Sequence, residues 1–166
     1  MHASKIEYAQ VIFPLMEAGA YKVYPAEPDE PMFSDIVKAV ATAHQTFQQT
    51  KPEDSAAFQE YVKSTYAVLA KHWRSPAEVN DDLTGRVLGA KKALEAQLVG
   101  DAEGDGGRRW NQHWTDSIVR AVAENPGKRV LALTGIENRY WIVDALRHSP
   151  QVELIDIPAW LRTHAP

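Results

Sequence analysis

The chain has no cysteine among its 166 residues. That excludes disulfides, Cys-ligated zinc, iron–sulfur clusters and thiol nucleophiles together. It also lacks an excess of base: 18 Lys and Arg stand against 22 Asp and Glu, a formal charge of -4. A general nucleic-acid binder is therefore not expected. No run approaches the roughly 18 apolar residues of a transmembrane span, so no membrane partner is expected. The opening residues Met1 to Glu7 lack the apolar block of a signal peptide, and a cytoplasmic location is the expectation. There is no GxGxxG, no GxxxxGK[ST] and no GxSxG, so dinucleotide, nucleoside triphosphate and serine-hydrolase chemistry have no foothold. The six histidines, at 2, 44, 72, 113, 148 and 164, form no HxH, no HExxH and no i, i+4 pair. No metal site is expected from their spacing, and no cofactor is named by the sequence.

What is present suits a packed globular chain: 45% hydrophobic, 24% charged and 9% aromatic residues. One domain spanning 1–166 is expected. Residues 4–18 read as a largely buried helix, and residues 20–24 as a short strand ended by Pro25. Between Pro25 and Pro31, Glu27, Asp29 and Glu30 make an acidic loop. Phe33, Ile36, Val37, Val40, Ala43 and Phe47 recur three and four apart, which predicts a helix over 32–49 capped by Ser34 or the acids before it. Phe58, Tyr61, Val62, Thr65, Tyr66 and Leu69 predict a second helix, pairing with the first as a hairpin. A third is expected over 83–99. Residues 100–107, with four glycines and no core-forming side chain, read as a flexible loop.

Trp110, Trp114, Ile118, Ala121 and Val122 mark another helix, which stops near Asn125. The run Arg129 to Thr134 then has the character of a buried parallel strand. A helix around Tyr140, Val143, Ala145 and Leu146 and a strand at 152–155 complete a right-handed βαβ unit. The fold expected is thus α/β and helix-rich: a small, mostly parallel sheet of about three strands, with a helical insertion over about 32–99. The negative charge gathers in the first part. Residues 1–107 carry 10 bases and 16 acids, residues 108–166 carry 8 and 6.

In an open α/β sheet the ligand crevice forms at the carboxyl ends of the parallel strands. Two such ends are the loop 24–30 and the turn 135–140. If they are neighbours, Glu27, Asp29, Glu137 and Asn138 face one cleft and offer oxygen ligands for a hard cation or a carboxylate pair for acid–base work. Acids just before helices also serve as plain caps, and Asp29 and Glu137 fit that reading. His113, near Arg109 and Asn111, is either a ligand group or a structural histidine.

The segments Arg109, Trp110, Asn111 through Ile118, then 127–134 and 135–141, resemble the closing part of the TraB/ChaN-like group, which includes erythromycin-esterase-like and haem-binding members. Asn138 stands where that group usually presents histidine. The resemblance implies a hydrolase- or lyase-like enzyme for a small molecule or peptide. Glu27 and Glu137 would be its acid–base pair, Arg109 would hold an anionic group, and Asn111 and Asn138 would be hydrogen-bond donors. It equally implies a non-catalytic module for haem or another flat ligand, bound by Tyr24, Tyr140 and Trp141 with His113 as axial donor. A third expectation is a catalytically degraded structural domain that completes its short sheet as a homodimer or by pairing with a companion chain.

Overall fold

The computed structural model describes residues 13–19 and 21–164. Its elements are α1 (Phe13–Glu17), α2 (Met32–Thr50), α3 (Pro52–His72), α4 (Pro76–Val79), α5 (Asp82–Val99), α6 (Asp101–Ala123), α7 (Ile136–Arg147) and α8 (Ile157–His164). Helix α6 packs against α2, α5 and α7, and α5 packs against α7. These four helices form the centre of the bundle, and α3 lies against α2 and α5.

Local signals explain most of the boundaries. The Glu30 carboxylate accepts hydrogen bonds from the amide and hydroxyl of Ser34, so an acid ahead of α2 satisfies one of its free amides. Lys51 separates α2 from α3, and Pro52 opens α3 at the one place where a missing N–H costs nothing. Asp81 caps α5 by accepting from the Thr84 amide at 2.8 Å. Gly100, at φ 105°, turns the chain from α5 into α6 in a region side chains avoid. The α2 stripe buries Ile36 and Phe47, α3 buries Leu69, α5 buries Leu88, and α7 buries Ile142 and Leu146.

The expected sheet is absent: the described residues contain no strand, and the fold is a helical bundle, not an α/β domain with an inserted hairpin. Residues 21–24, 129–134 and 152–155 have no regular secondary structure and make no ladder with one another. An apolar run is a strand only when a neighbour takes its backbone groups, and here none of the three meets another. Val130, Leu131 and Leu133 are accordingly exposed. The segment near Tyr24 is instead held by side chains: Tyr24 donates to Glu124 at 2.9 Å and accepts from Asn125 at 2.8 Å. Of the helix expected over 4–18, the part before Phe13 lies outside the described residues, as does Ala20.

The glycine-rich segment 100–107 is also not a loop. From Asp101 onward it is the first part of α6. One of its glycines permits close packing: a Cβ on Gly106 would lie 2.8 Å from Val40 Cγ2 and 3.2 Å from Ile36 Cγ2. Tertiary contact with α2 outweighs the low helix propensity of these residues.

Candidate functional site

Helix α5 carries a cation on its buried face. Lys91 follows the fully buried Leu88 by three residues, and it is itself only 5% exposed. Two short approaches between helices surround it with polar groups. The Tyr140 ring packs over α5 so closely that a Cβ on Gly89 would lie 3.1 Å from Tyr140 Cδ2. That contact sets Glu137, one turn earlier on α7, beside Lys91. On the other side, the Gly106 contact with Val40 sets Glu103, one turn earlier on α6, beside His44, one turn later on α2.

The resulting cluster is continuous. Lys91 Nζ donates to Glu137 Oε1 at 2.6 Å and lies 3.7 Å from Glu95 Oε2. The Tyr66 hydroxyl, from α3, donates to the same Glu137 oxygen. Lys92 Nζ donates to Glu95 Oε2 at 2.8 Å and to Glu103 Oε1 at 3.2 Å, and stands 3.8 Å from Glu137 Oε2. His44 Nε2 is 2.9 Å from Glu103 Oε2 and 3.9 Å from Glu95 Oε1. Lys91, Glu95 and Glu103 form the floor. Glu137, Lys92 and His44, with side chains 31%, 28% and 33% exposed, form a rim open to solvent.

Burial alone would push the Glu137 carboxyl up, but the hydrogen bonds from Lys91 and Tyr66 outweigh it and hold the group below the usual carboxylate range. Glu103 follows the same logic: burial opposes its charge, and the Lys92 ammonium with the His44 bond prevails. Burial works against the Lys92 charge too, yet its bond and attraction to Glu95 and its pairing with Glu103 leave it well above an ordinary lysine. Tyr66 is pushed far up, first by burial and then by Glu137. At neutral pH the centre therefore holds ionised carboxylates next to a neutral phenol.

Of the residues expected to act together, Glu137 enters this centre and Glu27 does not. Glu27 and Asp29 are exposed in the segment before α2, and no bond joins Glu27 to Glu137, so the cleft between two strand ends is not formed. The sheet that would have brought these loops together is missing. Asn138 is half-buried on the first turn of α7. Tyr140 acts as the spacer against Gly89, and burial raises the pKa of its hydroxyl. Arg109 and His113 line a separate surface depression of about 450 Å³ with Met32, Gln112 and Trp141. Asn111 is buried, and its Oδ1 lacks a hydrogen-bond partner, as does the Trp114 indole N–H. His72 bonds to Asp81 at 2.8 Å, a structural role at the start of α5.

The sequence reading missed His44, Tyr66, Lys91, Lys92, Glu95 and Glu103. One local signal did exist: Lys91 falls on the face that Leu88 buries, with Glu95 one turn further on. The other partners come from distant helices. Comparison of the chain with family models, with curated proteins and with solved structures gave no match.

Proposed function

We propose that the chain is an acid–base enzyme of the hydrolase or lyase type, acting on a small molecule or peptide at the mouth of the α5–α7 cluster. Glu137 is the base in this reading, Tyr66 the neutral phenol whose O–H positions it, and Lys92 the cation that holds an anionic group or a developing oxyanion. One observation carries it. Glu137 is kept ionised by the buried Lys91 and the half-buried Tyr66 while part of its carboxylate stays open to solvent, so an unprotonated acceptor faces the rim at neutral pH. The resemblance of residues 109–141 to the TraB/ChaN-like group supports the same class of reaction, since Glu137 lies within that stretch. A cytoplasmic setting belongs to the proposal.

The test is turnover of p-nitrophenyl acetate by the purified chain. Glu137→Gln should lower kcat/KM by about 10²-fold or more, the scale of a positioned base. Tyr66→Phe should lower kcat with less effect on KM. Unchanged rates in a folded Glu137→Gln protein remove the assignment.

A second reading has one observation in its favour: His113 and Trp141 share the surface depression. A flat ligand such as haem would lie there, and haemin titration should then produce a shifted Soret band that His113→Ala abolishes. Pairing with a second copy or a companion chain is also proposed, on the exposed Leu131 and Leu133. A strictly monomeric chain in sedimentation equilibrium would count against a homodimer.

A further inference from the structure

The carboxylates of the centre outnumber its ammonium groups. Glu95, Glu103 and Glu137 face Lys91 and Lys92, and the group left over is the imidazole of His44. Three carboxylates thus face two ammonium groups in a mostly buried place, an excess that a bound cation would relieve. The excess is local to one corner. His44 and one oxygen each of Glu95 and Glu103, drawn from α2, α5 and α6, all lie within 4.8 Å of one another.

We propose that His44, Glu95 and Glu103 are the protein ligands of a divalent first-row transition ion, of the zinc or manganese class. Ligand atoms held about 2.1 Å from such an ion stand roughly 3–4 Å apart. His44 Nε2 is 2.9 Å from Glu103 Oε2 and 3.9 Å from Glu95 Oε1, and the three ligand atoms lie within 4.8 Å of one another, so side-chain adjustment without movement of the helices brings them to that spacing. The imidazole among the donors favours zinc and the two carboxylates also suit manganese, whereas magnesium and calcium take oxygen alone. The three helices fix the ligands from different directions and leave the remaining coordination positions to water or substrate.

Lys92 is the natural competitor. Its ammonium bonds to both Glu95 and Glu103, where a cation would attract the same carboxylates. A second acceptor is already at hand: Glu137 Oε2 lies 3.8 Å from Lys92 Nζ, so the side chain can exchange one carboxylate for another as the ion enters. Metal and lysine thus alternate at Glu95 and Glu103. This inference does not depend on Glu137 acting as a base.

Isothermal titration of the metal-free chain with zinc chloride, and absorption spectroscopy with cobalt(II), test it. One ion per chain should bind, with cobalt d–d bands of a nitrogen- and oxygen-ligated site. His44→Gln and Glu103→Gln should each weaken zinc binding by about 10²-fold or more, the scale of a lost ligand or its close support. Lys92→Met should tighten it, because the competing ammonium is gone. Absence of binding by the unmodified chain at 100-fold molar excess of zinc, on the order of what a weak site tolerates, overturns the proposal whatever the variants do. Binding that is unchanged in both folded His44→Gln and Glu103→Gln proteins overturns it equally.

Discussion

Two regions of this molecule reverse the usual relation between polarity and burial. In the α5–α6–α7 centre, Lys91 and Glu103 are buried, while in the segment after α6, Leu131 is 75% exposed and Leu133 60%. The difference lies in what each backbone needs. A helix satisfies its own N–H and C=O groups, so it can carry a charged side chain inward wherever another helix supplies the opposite charge. A segment without regular secondary structure, such as residues 129–134, has no such internal ladder. Without a neighbouring strand its peptide groups stay in water, and its apolar side chains stay there with them. Burial in this chain follows from whether polar groups find partners, and only secondarily from hydropathy.

The sharpest way to break that comparison is to exchange the roles of the two regions. Lys91→Met leaves Glu137 and Glu95 without their buried cation, and it should destabilise the fold by about 3–5 kcal/mol in urea unfolding. Leu131→Ser should change stability by no more than about 0.5 kcal/mol, the range of an exposed site. Equal losses from the two substitutions would mean that residues 129–134 are covered in solution.

Glycine positions on α6 sharpen the comparison at the next scale down. Gly106→Ala forces a methyl group against Val40 and Ile36, and about 1–3 kcal/mol of destabilisation is expected. Gly107 has open space around its Cβ direction, so Gly107→Ala should stabilise the helix by about 0.5–1 kcal/mol. The two neighbours should therefore move the unfolding midpoint in opposite directions. Movement the same way would place the α2–α6 contact elsewhere.

These same residues show why the sequence was legible only in part. Helices α2, α3, α5 and α7 follow a three-and-four spacing of apolar residues, and their ends fall within a few residues of the capping and breaking signals. The run 129–134 has the composition of a buried strand, but composition cannot say whether another strand lies alongside. Residues 101–107 have the composition of a loop, and only contact with α2 and α5 makes them helical. Glu137 was reached for its position after a glycine turn, not for its partners. Tyr66, Lys91, Lys92 and His44 were passed over because the distances that join them span 59 and 71 residues of chain, between His44 and Glu103 and between Tyr66 and Glu137. Spacing along a helix reports only the face of that helix.

Acid titration compares the centre with the rest of the molecule. Glu103 and Glu137 have folded pKa values depressed below their ordinary ones. The stability they contribute is then fully present above the unfolded value, about 4.3 for Glu, and is lost as pH falls through the depressed folded values. Urea midpoints should be flat from pH 7 to about 5 and fall below that. Glu103→Gln should flatten the acid limb. An identical limb in that variant would show that the carboxylate is not held by Lys92 and His44.

The smallest effect is expected where charge pairs without burial. Arg147, at the end of α7, reaches Asp82, in the first turn of α5, at 3.1 Å, with side chains 54% and 64% exposed. The pair bridges the same two helices as Lys91 and Glu137, so geometry alone would give it equal standing. Water screens it, however, and ordering two long side chains offsets most of the attraction. Arg147→Ala should cost about 0.2–1 kcal/mol at low salt, and still less at 0.5 M sodium chloride. A loss as large as that of Lys91→Met would mean that the α5–α7 contact is held at its rim, and that the polar centre owes its place to that clasp.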